Sequence, residues 1–471
     1  MQQQLTSLLQ ESKNYFAQRK KDFIKDYFTF LCFQSISADE SYQKELVECA
    51  GWVRKQLENA GFTVEIWSES GSEKRPPVIF AQNSKAGPDK PTLLIYNHYD
   101  VQPVDPLEEW DSPPFEPRIE GNEIYARGAS DNKGQCFYTL QALKKTIEDG
   151  TIQFNIKYLI EGEEESGSVA LNHYLKTKKD QLKADYLLIV DTGIYRLSDP
   201  AITLGVRGLV TLSLTLKGSS YDLHSGEHGG IVYNPNRALV ELLSKFYDNE
   251  GKIQVPGFYD SITPLSEEER KDLDFTFDEK EYYGHFKARP TGGEKKYSPR
   301  ESNWIRPNLE INGLSGGYSG PGFKTVIPAS AHAKISARLA PGQDPAKIAK
   351  EICDFLKSNT PPGIDIEIEV HEGGGPGLRT NSHSAIAKIA ASAYSTVFGK
   401  PCKKILNGAS IPITHGLASA SGSDVVLLGV CLPDDHIHAP NEHFGIDRLE
   451  LGFLVMTQIL QSTVLNHGEH S

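Results

Sequence analysis

The 471-residue chain lacks the marks of several large functional classes. No apolar run approaches the roughly 20 residues that a membrane-spanning helix requires, so a membrane role is not expected. Excess positive charge is also missing. With 49 Lys and Arg against 62 Asp and Glu, the formal net charge of -13 argues against nonspecific binding to nucleic acid or an anionic bilayer. The expected partner is a small molecule, or cations offset the charge locally. Cysteines are few and scattered (Cys32, Cys49, Cys136, Cys353, Cys402, Cys431), with no CxxC pair, and read as reduced thiols of a cytoplasmic protein. The N-terminus has no apolar stretch before a cleavage site and reads as a polar amphipathic helix, not a signal peptide. Internal repeats and low-complexity tracts are absent.

What is present fits a globular protein of two domains, or of one large domain carrying an inserted one. The length exceeds one ordinary core, and 38% hydrophobic with 24% charged residues is an ordinary balance. Apolar spacing over 45–60 predicts a helix, Gly61 its stop, and 62–67 a strand. The same grammar returns in the apolar run 92–96, a helix over 135–148, and strands over 154–160 and 186–190. It returns again after 373, with a helix over 384–396 and a strand over 424–428. Strands alternating with helices predict an α/β domain with a central mixed, mostly parallel sheet covered by helices, formed from 1–202 and 373–471. Between them, 211–216, 333–339 and 364–370 alternate with period two, and 346–356 reads as a helix. This predicts an inserted α+β domain with an antiparallel sheet over 203–372, interrupted by a charged, Pro- and Gly-rich excursion at 251–306.

Three buried strands run directly into polar clusters, where open α/β sheets place their sites. His98 and Asp100 follow the first, and a strand register puts both on one side. Glu161, Glu163, Glu164 and Glu165 follow the second, and Asp191 the third. Asp131 lies in a glycine-bounded turn before a helix, and His436 and His438 come late in the chain. Singly, each has a plain alternative: an N-cap for Asp131, a turn for Asp191, a solvated charge run for the glutamates. Crowded carboxylates at a buried strand end nevertheless repel unless cations neutralise them or their pKa values rise. One carboxylate shared by two carboxyl-plus-imidazole sets would complete a dinuclear site.

Asn97-His98-Tyr99-Asp100-Val101-Gln102-Pro103, Gly128-Ala129-Ser130-Asp131-Asn132-Lys133-Gly134, the Glu161 to Ser168 segment and Leu223-His224-Ser225-Gly226 closely resemble the dinuclear zinc peptidases. That family includes carnosinase-type dipeptidases, aminoacylases, acetylornithine deacetylase, succinyl-diaminopimelate desuccinylase and carboxypeptidase G, and the carnosinase-type branch is the nearest. The resemblance runs from about residue 20 to the C-terminus, outside 251–306. It implies two divalent metals per subunit, Zn first, with Mn or Co also compatible. His98 and Asp191 would hold one metal, Glu165 and His438 the other, with Asp131 as bridge. Glu164 would be the general base acting on a metal-bridging water, and Asp100 the support of His98. Two positions depart from the family. Asn132 stands where many relatives have a second Asp, whose role lies mainly in an unusual cis peptide after the bridging Asp131, so little loss is expected. Glu163 replaces an apolar residue, and its added charge is expected to raise the pKa values of its neighbours.

For the inserted domain, the resemblance implies a lid that mediates homodimerisation. His224 would reach a partner subunit's active site and steady an oxyanion. Arg338 would hold the substrate's terminal carboxylate, and Thr325 and Ser410 would make further substrate contacts. The implied activity is hydrolysis of the amide bond of dipeptides or short peptides. An N-acyl amino acid deacylase using the same site, and a noncatalytic binding protein of the same fold, are the alternatives.

Overall fold

The computed structural model describes residues 2–68 and 75–463, so the ends of the predicted first domain, Met1 and 464–471, lie outside the described residues. Two compact units emerge: one of Met1–Leu204, Thr380–Ile405 and Gly416–Ser471, and one of Gly205–Arg379 and Leu406–His415.

The first unit is built on a mixed sheet. Thr92–His98 lies between Asn155–Glu161 and Tyr186–Val190, parallel to both, and Asp424–Leu428 adds a further parallel strand beside Tyr186–Val190. Val78–Asn83 and Thr63–Trp67 extend the other edge in antiparallel pairings. The central strands are largely apolar and mostly buried, as expected where helices cover both faces. The helix Lys133–Glu148, buried along nearly its whole length, packs on Ile446–Leu460, which also meets Ala385–Phe398 and the N-terminal helix Gln2–Leu31. A small ribbon completes the unit, with His443–Gly445 antiparallel to Glu123–Tyr125. It carries a late stretch of chain to the loop that precedes Lys133.

The second unit holds a four-stranded antiparallel sheet ordered Asn308–Gly316, Ser330–Leu339, Gly208–Lys217, Asp365–Val370. Gly208–Lys217 alternates strictly between buried and half-exposed positions. Its inward residues Val210, Leu212, Leu214 and Leu216 form a core with Leu239 and Leu242 of the helix Pro235–Ser244 and with Ile348 and Ile352 of the helix Pro345–Asn359. The charged excursion carries three short helices, Glu267–Asp272, Glu279–Phe286 and Pro299–Trp304. Ile253, Val255 and Phe258 at its start join the same core.

Candidate metal centre

Strand register sets the first part of the centre. His98, the last residue of its strand, lies directly across from Glu161, the last of the neighbouring strand. The pairing of Leu93–Tyr96 with Tyr186–Ile189, carried two residues further, brings Asp191 level with His98. Beyond Glu161 the chain turns through Gly162 into a short 3-10 turn, Glu164–Ser166. A Cβ on Gly162 would stand 2.2 Å from the ring of Tyr99, so only glycine fits there and the turn can close over the strand ends. Asp131 sits in the loop ahead of Lys133–Glu148, and the peptide joining it to Asn132 is cis, as the resemblance implies. His438 lies between Asp424–Leu428 and His443–Gly445 with a left-handed backbone, φ 63°.

Asp131 faces two imidazoles with its two oxygens. Its Oδ1 lies 3.2 Å from His98 Nε2, and its Oδ2 lies 3.0 Å from His438 Nε2. His98 Nε2 is 3.6 Å from Asp191 Oδ1, while His438 Nε2 is 3.3 Å from Glu165 Oε2. The Asp131 carboxylate thus lies between the pair His98 and Asp191 and the pair His438 and Glu165. His98, Asp131 and Glu165 bring ligand atoms within 4.8 Å of one another, the spacing of a metal-binding group.

The electrostatics call for positive charge. Among the described residues no Lys or Arg pairs with Asp131, Glu164, Glu165 or Asp191. Burial raises the carboxyl of Glu164 well above its ordinary range, that of Glu165 to about 7, and that of Asp191 as well. Hydrogen bonds to Asp131 and Glu165 push the His438 imidazole up to about 10. Glu165 Oε1 is buried with no hydrogen-bond partner. Convergent oxygen and imidazole donors in excess negative charge, with one orphaned carboxylate oxygen, fit divalent cations.

A surrounding shell fixes these side chains. Asp100 Oδ1 accepts the backbone N–H of Glu164 at 3.2 Å, and Oδ2 accepts that of Glu165 at 3.0 Å and the Ser37 hydroxyl at 2.7 Å. His98 Nδ1 lies 3.1 Å from the Asp100 carbonyl oxygen, an arrangement that leaves Nε2 directed at the carboxylates. Asn132 donates to Asp191 Oδ1 at 2.6 Å, and Gln102 to Glu165 Oε2 at 2.7 Å. Glu442 accepts three backbone N–H groups, from Gly128, Ser130 and Asp131, and Arg127 as well. Asp435 takes the Ser130 hydroxyl and pairs with Arg448.

The charge of Glu163 is felt at Tyr99, whose hydroxyl is held well above its ordinary range by burial and by nearby charges that include Glu163. One Glu163 oxygen pairs with Arg75 at 2.6 Å and the other accepts the Ala170 N–H at 2.8 Å. After burial, the charges that raise Glu164 are those of Asp191, Glu165 and Asp100. Sequence reading also missed Gln102, Asp435 and Glu442 as supports. The only signal was that Gln102 and Glu442 fall inside the segments His98 to Pro103 and His436 to Glu442.

The remaining candidates fall in the second unit. His224 and Thr325 lie at a two-stranded ribbon in which His224 pairs with Val326, and both side chains are exposed. His224 Nδ1 accepts the Gly226 N–H, and the Thr325 carbonyl accepts the Ser225 N–H at 3.0 Å. Arg338 is half-buried on Ser330–Leu339, and Ser410 donates to the Gly208 carbonyl at 3.0 Å. The predicted residues thus form two sets: His98, Asp100, Asp131, Glu164, Glu165, Asp191 and His438 in one unit, and His224, Thr325, Arg338 and Ser410 in the other.

Residues 94–462 match the model of Peptidase family M20/M25/M40. The chain belongs to this family. A Cys-Gly metallodipeptidase of Candida albicans, DUG1, is 30% identical over 91% of each chain. The human Beta-Ala-His dipeptidase is 34% identical over 78% of this chain and 73% of its own length. Among solved structures, the M20 metallo-carboxypeptidase Sso-CP2 from Sulfolobus solfataricus has a TM-score of 0.82 at 33% identity, covering 93% of this chain and 98% of its own. This M20 chain is accordingly a metal-dependent peptidase with the mixed α/β architecture of its relatives.

Proposed function

We propose that this M20 peptidase hydrolyses the amide bond of unblocked dipeptides and short peptides at a dinuclear centre in which Asp131 bridges two divalent cations. The observation that carries the reading is the division of the Asp131 carboxylate, one oxygen toward His98 and the other toward His438. His98 and Asp191 would hold one cation, and Glu165 and His438 the other. Zn leads as the metal, and Mn or Co suits the same donors. When bound, the cations supply Lewis-acid polarisation of the scissile carbonyl and lower the pKa of water.

Glu164 accepts the proton of the attacking water and passes it to the leaving amine. Asp100 keeps Glu164 in place by taking its backbone N–H and that of Glu165. In the second unit, Arg338 receives the substrate's terminal carboxylate, a task suited to a planar two-pronged donor. Thr325 and Ser410 contact the substrate. His224 donates to the developing oxyanion of a partner subunit within a homodimer formed through this lid. The exposed apolar side chains of Tyr221, Ile231, Val240 and Phe323, all in that unit, support such an assembly. All six cysteines are unpaired, which supports a reducing, cytoplasmic setting. No described helix is long and apolar enough to cross a membrane.

The dipeptidase activities for which the relatives are named support dipeptides over N-acyl amino acids. A panel of unblocked dipeptides and N-acetyl amino acids tests the choice. Turnover of dipeptides is expected, and cleavage of the N-acetyl compounds alone would make the chain a deacylase.

A further inference from the structure

The second unit buries a cation that none of the assigned roles uses. Arg207 is 4% exposed, yet every acceptor of its guanidinium is a neutral oxygen: Nε donates to the Gly408 carbonyl at 2.8 Å, and Nη1 to the Arg306 carbonyl and Asn308 Oδ1 at 3.3 Å each. Its backbone N–H adds a bond to the Ala409 carbonyl at 3.1 Å. Asn308 stands directly across the sheet from Arg338, and Arg338 directly across from Leu209, two residues beyond Arg207. Arg207 and Arg338 therefore lie near each other on this sheet, and the charge of Arg338 acts on Arg207.

No carboxylate pairs with either arginine among the described residues. Glu310, the acid acting on Arg207, is engaged by the Asn308 amide at 2.8 Å. Burial, and then the charge of Arg338, lower the Arg207 pKa to about 10, and burial lowers that of Arg338 too. Both shifts have the sign expected of positive charge lacking an opposing one. Buried charge is costly unless paired, and a guanidinium matches a carboxylate in geometry as well as charge. Arg207 also fastens the loop Asn407–Ser410, its side chain donating to the Gly408 carbonyl and its backbone N–H to that of Ala409.

We infer that Arg207 is a specificity-determining positioning residue: it holds the Asn407–Ser410 loop and keeps the Arg338 patch doubly positive, so that the enzyme selects substrates ending in a free carboxylate. This rests on the reading that Arg338 receives that carboxylate. It goes further by assigning the selection to a residue that need not touch the substrate, and by excluding C-terminally amidated peptides as good substrates.

The test compares kcat and KM of the wild-type enzyme, Arg207→Gln and Arg207→Lys on an unblocked dipeptide and on its C-terminal amide. Loss of a charge of this kind is expected to raise KM for the acid by about 10- to 100-fold in Arg207→Gln, with a smaller change in kcat. The preference for acid over amide should collapse. Arg207→Lys, which keeps the charge and loses the planar fork, should restore part of that preference. Equal losses on acid and amide in both variants would reduce Arg207 to a folding role and overturn the inference. An unchanged preference would do the same. If Arg207→Gln does not accumulate as folded protein, Arg207→Met carries the same comparison, and an acid-to-amide ratio there equal to that of the wild type overturns it. A wild-type enzyme inactive on both compounds would instead remove the proposed function, and this inference with it.

Discussion

The carboxylate of Glu442 accepts the backbone N–H of Asp131 at 3.0 Å, although the two residues are 311 positions apart. The same group takes the N–H of Ser130 and of Gly128, each at 2.8 Å, and pairs with buried Arg127. The loop that carries the proposed bridging acid is thus shaped by the segment that carries His438, and the two cannot form independently.

Glu442→Ala should accordingly disturb fold and centre together. It strands Arg127, whose side chain is 1% exposed, and leaves three backbone N–H groups without their acceptor. Breaking a buried pair of this kind costs about 3–5 kcal/mol. Chemical denaturation should show that loss, and metal analysis of the folded fraction should show reduced content. Wild-type stability with full metal content would contradict the bracing role.

Asp131→Asn keeps the size of the side chain and removes the charge that both half-sites use. Bound metal should fall for both ions together, because each imidazole faces one of its oxygens. Elemental analysis after gel filtration would show it. Loss of one ion with the other fully retained would argue against a bridge.

Gln102→Ala removes the donor on Glu165 Oε2 and leaves the other Glu165 oxygen as it is, buried and unpartnered. Outer-shell partners of this kind change metal affinity by about 10- to 100-fold. A chelator competition titration should record weaker binding, and Gln102→Glu should not restore it, since a second carboxylate repels the first. Unchanged affinity would leave Gln102 without the role assigned to it.

Much of this was legible in the chain because it is local. Buried apolar runs ending in His98, in Glu161 and at Asp191 are statements about adjacent residues, and strand register does the rest. Period-two alternation in Gly208–Lys217 is equally local. The illegible parts are contacts between distant segments. Glu442 could be read only as a companion of His438, since acceptance of three N–H groups from another loop has no sequence pattern. Arg75 pairs with Glu163 across 88 positions, a tie that has no sequence pattern. The loop Leu406–His415 read with the residues around it, whereas its bonds to Arg207 and Gly208 group it with the second unit.

The central claim is that Glu164 moves the proton at a centre whose cations are held by other residues, and it is tested most directly by turnover and metal content measured on one preparation of Glu164→Gln. Loss of a general base at this step should lower kcat on a dipeptide by about 100- to 10,000-fold while both metals stay bound. Activity close to wild type, or loss of metal in step with loss of activity, would contradict it.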